Sequence, residues 1–192
     1  MHSYLVEWSI RRCVDIKFTG KCIFLGGTRS GKSELAEAFL ARDYASMCYI
    51  ATAPRKWIAD DPDFRDRVER HRNVRGNKWS LLELDSAKDL YSVLEEANLP
   101  TLIDSIGTWL ASEIEFVPDL ERLSNAISNC KSPLVFVSEE VGLSIHSGSS
   151  SSRQFIDRLG QVNQTISKAV DLAFLVIAGR VLELGPPGVG RP

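Results

Sequence analysis

The octapeptide Gly26-Gly27-Thr28-Arg29-Ser30-Gly31-Lys32-Ser33 fits the pattern G-x-x-x-x-G-K-[ST], and its flanks are those the pattern needs. Upstream, Cys22-Ile23-Phe24-Leu25 is an apolar run that predicts a buried strand entering the loop. Downstream, Glu34 to Leu40 predicts a helix with Leu35, Ala38 and Phe39 on one face. Strand, glycine-rich turn and helix N-terminus together cradle a polyphosphate, because backbone N–H groups and the positive end of the helix dipole converge on the anion. In such a cradle Lys32 reaches the β- and γ-phosphates and the Ser33 hydroxyl holds Mg²⁺. A chance Gly/Ser-rich turn is the alternative, and it leaves both flanking elements unexplained. The stretch predicts binding of a nucleoside triphosphate.

Outward from the loop, strand and helix signals alternate. Met47 to Ala51 is an apolar, β-rich run broken by Thr52-Ala53-Pro54. Asp60 to Arg72 predicts a charged helix with Phe64, Val68 and His71 on one face. Leu81-Leu82-Glu83-Leu84 is a short strand candidate. Ser86 to Ala97 predicts a helix whose stripe is Ala87, Leu90, Tyr91, Leu94 and Ala97. Pro100-Thr101-Leu102-Ile103 predicts a strand ending at Asp104, with a helix from about Thr108. Leu120 to Cys130 predicts a further helix, and Pro133 to Val137 a buried strand ending at Ser138-Glu139-Glu140. A flexible stretch from Ser147 to Ser152 precedes a helix with Phe155, Leu159, Val162, Ile166 and Ala169 in register. Ser151 and Gln154 are placed for its capping box. Ala173 to Ala178 and Val181 to Leu184 predict closing strands around Gly179-Arg180. Repeated β-α units without internal repeats predict an α/β fold: a mainly parallel sheet, helices on both faces, and ligands at the carboxyl ends of the strands.

At 192 residues, 44% hydrophobic, the chain suits one globular domain, here placed at 21–184. Residues 1–20 form an extension readable as an added strand, a flexible arm or a misassigned start. Residues 185–192, rich in Gly and Pro, predict a flexible tail. A net charge of −2 offers no global basic field, so no nucleic-acid partner is expected. No run approaches the roughly 18 apolar residues of a membrane span. Glu7, Arg11, Arg12 and Asp15 interrupt any signal-peptide core. The four cysteines, Cys13, Cys22, Cys48 and Cys130, are scattered without C-x-x-C pairing, which argues against structural zinc and fits a reducing cytoplasm.

Polar residues cluster at the predicted carboxyl ends. Asp104 is where a Walker B acid would hold Mg²⁺, and helix N-capping is its plainer alternative. Glu139 and Glu140 suit a metal, a substrate hydroxyl or simply a solvated strand end. The serine run at 149–152 suits a mobile loop and, over the strand ends, a lid. Between Arg67 and Arg75, His71 lies among Arg67, Arg70, Arg72 and Arg75. That is a basic helix end complementing the dipole, or a phosphate site with a histidine nucleophile.

The ordered set of motifs resembles one family. It comprises GGTRSGKS; Tyr49-Ile50-Ala51-Thr52-Ala53; Arg67-Val68-x-x-His71-Arg72-x-x-Arg75-x-x-x-Trp79-x-x-x-Glu83; and Leu102-Ile103-Asp104 followed by Thr108-Trp109-Leu110. Glu140-Val141-Gly142 and Arg153-x-Phe155-x-Asp157-x-x-Gly160-x-x-Asn163-Gln164 complete it. All resemble the bifunctional adenosylcobinamide kinase/adenosylcobinamide-phosphate guanylyltransferases of cobalamin biosynthesis, from about Lys21 to Leu184. The resemblance implies a P-loop NTPase domain of the RecA-like group, assembled as a homotrimer. It implies phosphorylation of the aminopropanol hydroxyl of adenosylcobinamide by ATP or GTP, then transfer of GMP from GTP through a GMP-histidine at the position of His71. Nucleotide contacts carry over to Gly26, Gly27, Thr28, Arg29, Ser30, Gly31, Lys32, Ser33, Ala51, Thr52, Ala53, Arg72, Asn73, Val74, Arg75, Glu83 and Asp104. Glu83 would then accept from guanine N1–H and the 2-amino group, which adenine lacks.

Two departures bear on the corrinoid side. Glu139-Glu140-Val141-Gly142 stands where the family commonly has Asn-Glu-Val-Gly, and Ser144-Ile145-His146-Ser147 where it has Gly-Ile-Val-Pro. Two rivals stand beside the bifunctional reading. A single-activity P-loop kinase leaves His71 without a covalent task, and a regulatory GTPase lacks its N-K-x-D guanine motif.

Overall fold

The computed structural model describes residues 17–53, 76–112, 117–143 and 149–186. The strands are β1 (Lys21–Gly26), β2 (Met47–Ala51), β3 (Trp79–Glu83), β4 (Thr101–Asp104), β5 (Leu134–Glu139), β6 (Leu172–Ile177) and β7 (Arg180–Leu184). The helices are α1 (Lys32–Asp43), α2 (Asp89–Glu96), α3 (Ile106–Ala111), α4 (Leu120–Asn129) and α5 (Ser150–Ala169). One seven-stranded sheet runs β3-β2-β4-β5-β1-β6-β7, parallel except for the β6–β7 pairing.

Alternation along each strand divides the core. Cys22, Phe24, Tyr49, Leu102, Val135, Val137, Phe174 and Val176 face α1, meeting Ala36, Phe39 and Leu40. Ile23, Leu25, Ile50, Ile103 and Phe136 face the other way, onto α2 to α5. A parallel strand covered on both sides has no solvent face, which is why these segments read as continuous apolar runs. Phe24, Phe39 and Phe174 pack ring on ring, with centroids 4.8–5.9 Å apart. Burying side chains of this size stabilises the domain by about 1.5–3 kcal/mol each.

Several expectations shift. The inner face of α1 is Ala36, Phe39 and Leu40; Ala38 is exposed and Leu35 half-buried. The helix after β4 begins at Ile106 rather than near Thr108, because Ser105 caps it: its side chain accepts from Thr108 N–H, and the Thr108 hydroxyl accepts from Ser105 N–H. The run 149–152 lies at the start of α5, not in a loop. Ser149 is the N-cap and Ser151 is inside the helix, so the Ser151/Gln154 capping box does not form. Ala97 lies just past α2 and packs against the core from there. Before β1, Phe18 packs on Phe39 at 4.9 Å, its N–H donates to Asp43, and its carbonyl accepts from Tyr44. The last residues of the predicted extension are thereby pinned to the C-terminal end of α1. The predicted helix at 60–72, residues 144–148 and the tail from 187 lie outside the described residues.

Candidate active site

The chain leaves β1 toward β2 on one side of the sheet and leaves β5 toward β6 on the other. In an open parallel sheet such a reversal opens a crevice at the carboxyl ends of the two strands, here the adjacent β5 and β1. Register sets the polar strand ends along the same edge of the sheet. Glu83 pairs with Ala51, Ala51 with Asp104, and Gly26 with Glu139. By the alternation of side chains all five lie on the α1 face of the sheet.

The loop joining β1 to α1 has the geometry of an anion nest. Arg29 and Gly31 both have positive φ, 58° and 92°, so their N–H groups turn toward one concavity. Gly26 tolerates no side chain, since a Cβ would collide with Val176 O and Ser30 Oγ. Gly31 is the N-cap of α1, and no side chain caps that terminus, which leaves donors for an anion. Ser30 Oγ is buried without a hydrogen-bond partner among the described residues. Gly27, Thr28 and Arg29 are exposed. The β6–β7 turn supports the loop from behind, Gly179 N–H donating to Ser30 O at 2.8 Å.

Lys32 is buried at the start of α1, its Nζ 3.4 Å from Gly27 O and 3.6 Å from Glu139 Oε1. Ser33 follows it, half-buried. Asp104 accepts from the Tyr49 hydroxyl at 2.8 Å through Oδ2. Because Ser105 caps α3, the plainer role considered for Asp104 is taken by its neighbour. Thr52 is buried: its N–H donates to Asp104 O at 3.3 Å and its hydroxyl meets Ser105 O at 2.7 Å and Thr108 Oγ1 at 2.5 Å. The Ala51-Thr52-Ala53 segment is thus bonded directly to the end of β4. His71, Arg72, Asn73, Val74 and Arg75 lie outside the described residues.

The two adjacent glutamates separate cleanly. Glu139 faces Lys32 and accepts from Gly107 N–H at 3.0 Å, whereas Glu140 accepts from Gly142 N–H within its own turn. Sequence reasoning also missed Tyr49 and Gly107. Tyr49 stands in the sequence only as part of the motif Tyr49-Ile50-Ala51-Thr52-Ala53, with no role of its own. Gly107 follows the end of β4 and has no Cβ because Glu139 fills that space, a demand that only the folded neighbour creates.

Asp104 and Ser33 offer hard oxygen donors of the kind Mg²⁺ takes. Among the described residues there is no cluster of three His, Cys, Asp or Glu side chains fit for a metal. That is compatible with Mg²⁺ held by one or two protein oxygens plus substrate phosphates.

Sheet order, nest and strand-end acid together define a P-loop α/β nucleotide-binding enzyme. The chain belongs to the cobinamide kinase/cobinamide phosphate guanyltransferase family, whose description matches residues 22–184. It is 33% identical over 171 residues to the bifunctional adenosylcobalamin biosynthesis protein CobP of Pseudomonas aeruginosa, covering 84% of this chain and 95% of that one. Against the bifunctional adenosylcobalamin biosynthesis protein CobU of Escherichia coli it is 30% identical over 174 residues, 80% and 93% of the two chains. Similar solved structures include the VirB11 ATPase of Brucella suis, with TM-score 0.48 and 14% identity over 92% of this chain and 49% of that one. A KaiC-like protein of Pyrococcus horikoshii has TM-score 0.46 and 15% identity over 81% and 70%. No helix among the described residues is long and apolar enough to cross a membrane.

Proposed function

We propose that this protein phosphorylates the aminopropanol hydroxyl of adenosylcobinamide with ATP or GTP and then transfers GMP from GTP to that phosphate, by way of a GMP–histidine on His71. The observation that carries the reading is that Glu83, Ala51 and Asp104 share one level of one sheet face, with the phosphate loop starting two residues beyond that level on the same face, within a chain of this family. In the kinase half, the nest and the N-terminus of α1 bind the phosphates and Lys32 offsets charge on the β- and γ-groups. Mg²⁺, held through Ser33 and Asp104, would supply further charge stabilisation. Glu83 at the end of β3 reads guanine through the two donors that adenine lacks.

In the guanylyl half, a neutral ring nitrogen of His71 attacks the α-phosphorus. The bond to the bridging oxygen breaks and pyrophosphate leaves, giving a phosphoramidate. An oxygen of the corrinoid phosphate then displaces histidine. Arg72 and Arg75 offset the charge that develops on the phosphoryl oxygens. A homotrimer and a cytoplasmic location belong to the same reading. Cys22, Cys48 and Cys130 are free thiols, in keeping with a reducing compartment.

GTP labelled at the α-phosphate tests the covalent step. The expected result is an acid-labile, alkali-stable label on the wild type that His71→Ala abolishes. Label persisting in that variant refutes the assignment, and an unlabelled wild type that still phosphorylates the corrinoid leaves a plain kinase.

A further inference from the structure

At the carboxyl end of β5, Glu139 is fixed on three sides. One oxygen, Oε1, lies 3.6 Å from Lys32 Nζ, and the other, Oε2, accepts from Gly107 N–H at 3.0 Å. Its backbone carbonyl accepts from Asn163 Nδ2 at 3.0 Å, and Asn163 Oδ1 accepts in turn from Ser138 Oγ at 2.6 Å. Strand pairing sets Glu139 opposite Gly26, the first residue of the phosphate loop. A Cβ at position 107 would overlap the carboxylate, so the site is shaped around it. The side chain is nevertheless a quarter exposed, which gives it a path to solvent.

A carboxylate in this place is costly for a site that takes a polyanion. It sits beside the lysine that must bind the β- and γ-phosphates, and it offsets part of that lysine's charge. Ser105 takes the Thr108 N–H of α3 and Glu139 Oε2 takes that of Gly107, which leaves Oε1 turned to Lys32 and outside the cap. Glu140 is committed to its own turn, and Asp104 is engaged by Tyr49.

Distances indicate what the carboxylate can reach. A lysine ammonium binds a phosphate oxygen at about 3 Å. A carboxylate oxygen 3.6 Å from the same nitrogen is therefore within about 7 Å of that phosphate oxygen. An attacking hydroxyl sits about 3–3.5 Å from phosphorus in a near-attack arrangement. A separation up to that limit leaves room for one such hydroxyl between the phosphoryl group and Glu139, with its proton toward the carboxylate.

We propose that Glu139 is the general base of the phosphoryl-transfer step, taking the proton from the acceptor alcohol; this rests on the kinase half of the function proposed above. As the alcohol oxygen bonds to the γ-phosphorus, the bond from phosphorus to the β–γ bridging oxygen breaks and its electron pair leaves on the nucleoside diphosphate. The hydroxyl proton passes to a Glu139 oxygen and later to water. Protonation removes a negative charge from beside the phosphates while the transition state forms, so electrostatics favours the transfer in that direction.

Glu139→Gln tests this. The amide keeps the size of the side chain and a carbonyl oxygen for Gly107 N–H, and loses the negative charge beside Lys32 together with the basicity. The kcat for phosphorylation of the corrinoid alcohol should fall about 10²–10⁴-fold. Nucleotide affinity, measured by equilibrium dialysis, should be no weaker than in the wild type. A kcat within about threefold of wild type reduces Glu139 to a structural contact and overturns the proposal. So does a variant whose defect lies wholly in nucleotide KM, which would make Glu139 a positioning residue for Lys32. Gly107→Ala pushes the carboxylate aside without altering it and should lose kcat in the same step. A wild type that phosphorylates no alcohol overturns the functional reading and this base with it; an active wild type matched by Glu139→Gln overturns the base alone.

Discussion

Tyr49→Phe removes one oxygen atom and isolates the contact that orients Asp104. The Tyr49 ring is 6% exposed and lies edge-on to Trp79, with centroids 6.2 Å apart and planes at 79°, packing that phenylalanine retains. What is lost is the 2.8 Å hydrogen bond from the hydroxyl to Asp104 Oδ2. A hydrogen bond to a charged group contributes about 1.5–3 kcal/mol. At 1.4 kcal/mol per tenfold, that corresponds to about 10–150-fold in an equilibrium constant. Partners that orient a metal-ligating side chain cost about 10–100-fold in metal affinity or activity when removed, the same range. The expected outcome is a Mg²⁺ half-saturation for phosphoryl transfer raised at least tenfold, with nucleotide binding in EDTA unchanged. The assay is initial rate against free Mg²⁺ at saturating nucleotide, with Asp104→Asn as the limiting case. A variant with lower melting temperature but the wild-type Mg²⁺ curve would show that the bond is only structural and refute the reasoning.

Lys32→Ala removes a buried ammonium and leaves Glu139 facing the phosphates without its partner. One unit charge at about 4 Å and an effective dielectric near 20 contributes about 4 kcal/mol, so phosphoryl transfer should fall about 10³-fold; turnover near wild type would remove Lys32 from the site. Ala178 holds a φ of 51° in the β6–β7 turn, where glycine bears no side-chain penalty. After the entropy that glycine adds to the unfolded chain, Ala178→Gly should stabilise by about 0.5–1 kcal/mol, raising the melting temperature by about 1–4 °C; an unchanged or lower midpoint in a thermal melt counts against this. Asp43 is held below a free aspartate's 3.8, chiefly by its hydrogen bond from Arg42 and also by that from Phe18 N–H, against the opposing effect of burial. A depressed folded value means its stabilisation is complete above the unfolded value and is lost as pH falls through the folded one. Asp43→Asn should therefore lower the urea midpoint at neutral pH and converge with the wild type in strong acid; a constant difference across that range would refute the assignment.

Much of the chain was legible without tertiary information, for a local reason. Gly26 to Ser33 needs only its own dihedrals and a helix start to become an anion nest. Strands buried on both faces declare themselves as apolar runs, so β1, β2, β4 and β5 were readable within a residue or two, and the place of Asp104 at a strand end followed. The ordered motifs carried the family. Tertiary structure decided what depends on neighbours distant in sequence. Ser105 rather than Asp104 caps α3, because β4 ends one residue short of the cap. The serine run became helix because α5 packs Leu159, Val162 and Ile166 into the core, and that packing outweighs the weak helix propensity of serine at its first turn. Glu139 and Glu140 carry the same side chain, but β5 ends between them, so one faces Lys32 from the strand and the other closes the turn that follows. Tyr49 met Asp104 only through the β2–β4 register, a pairing across 55 residues that no local pattern encodes.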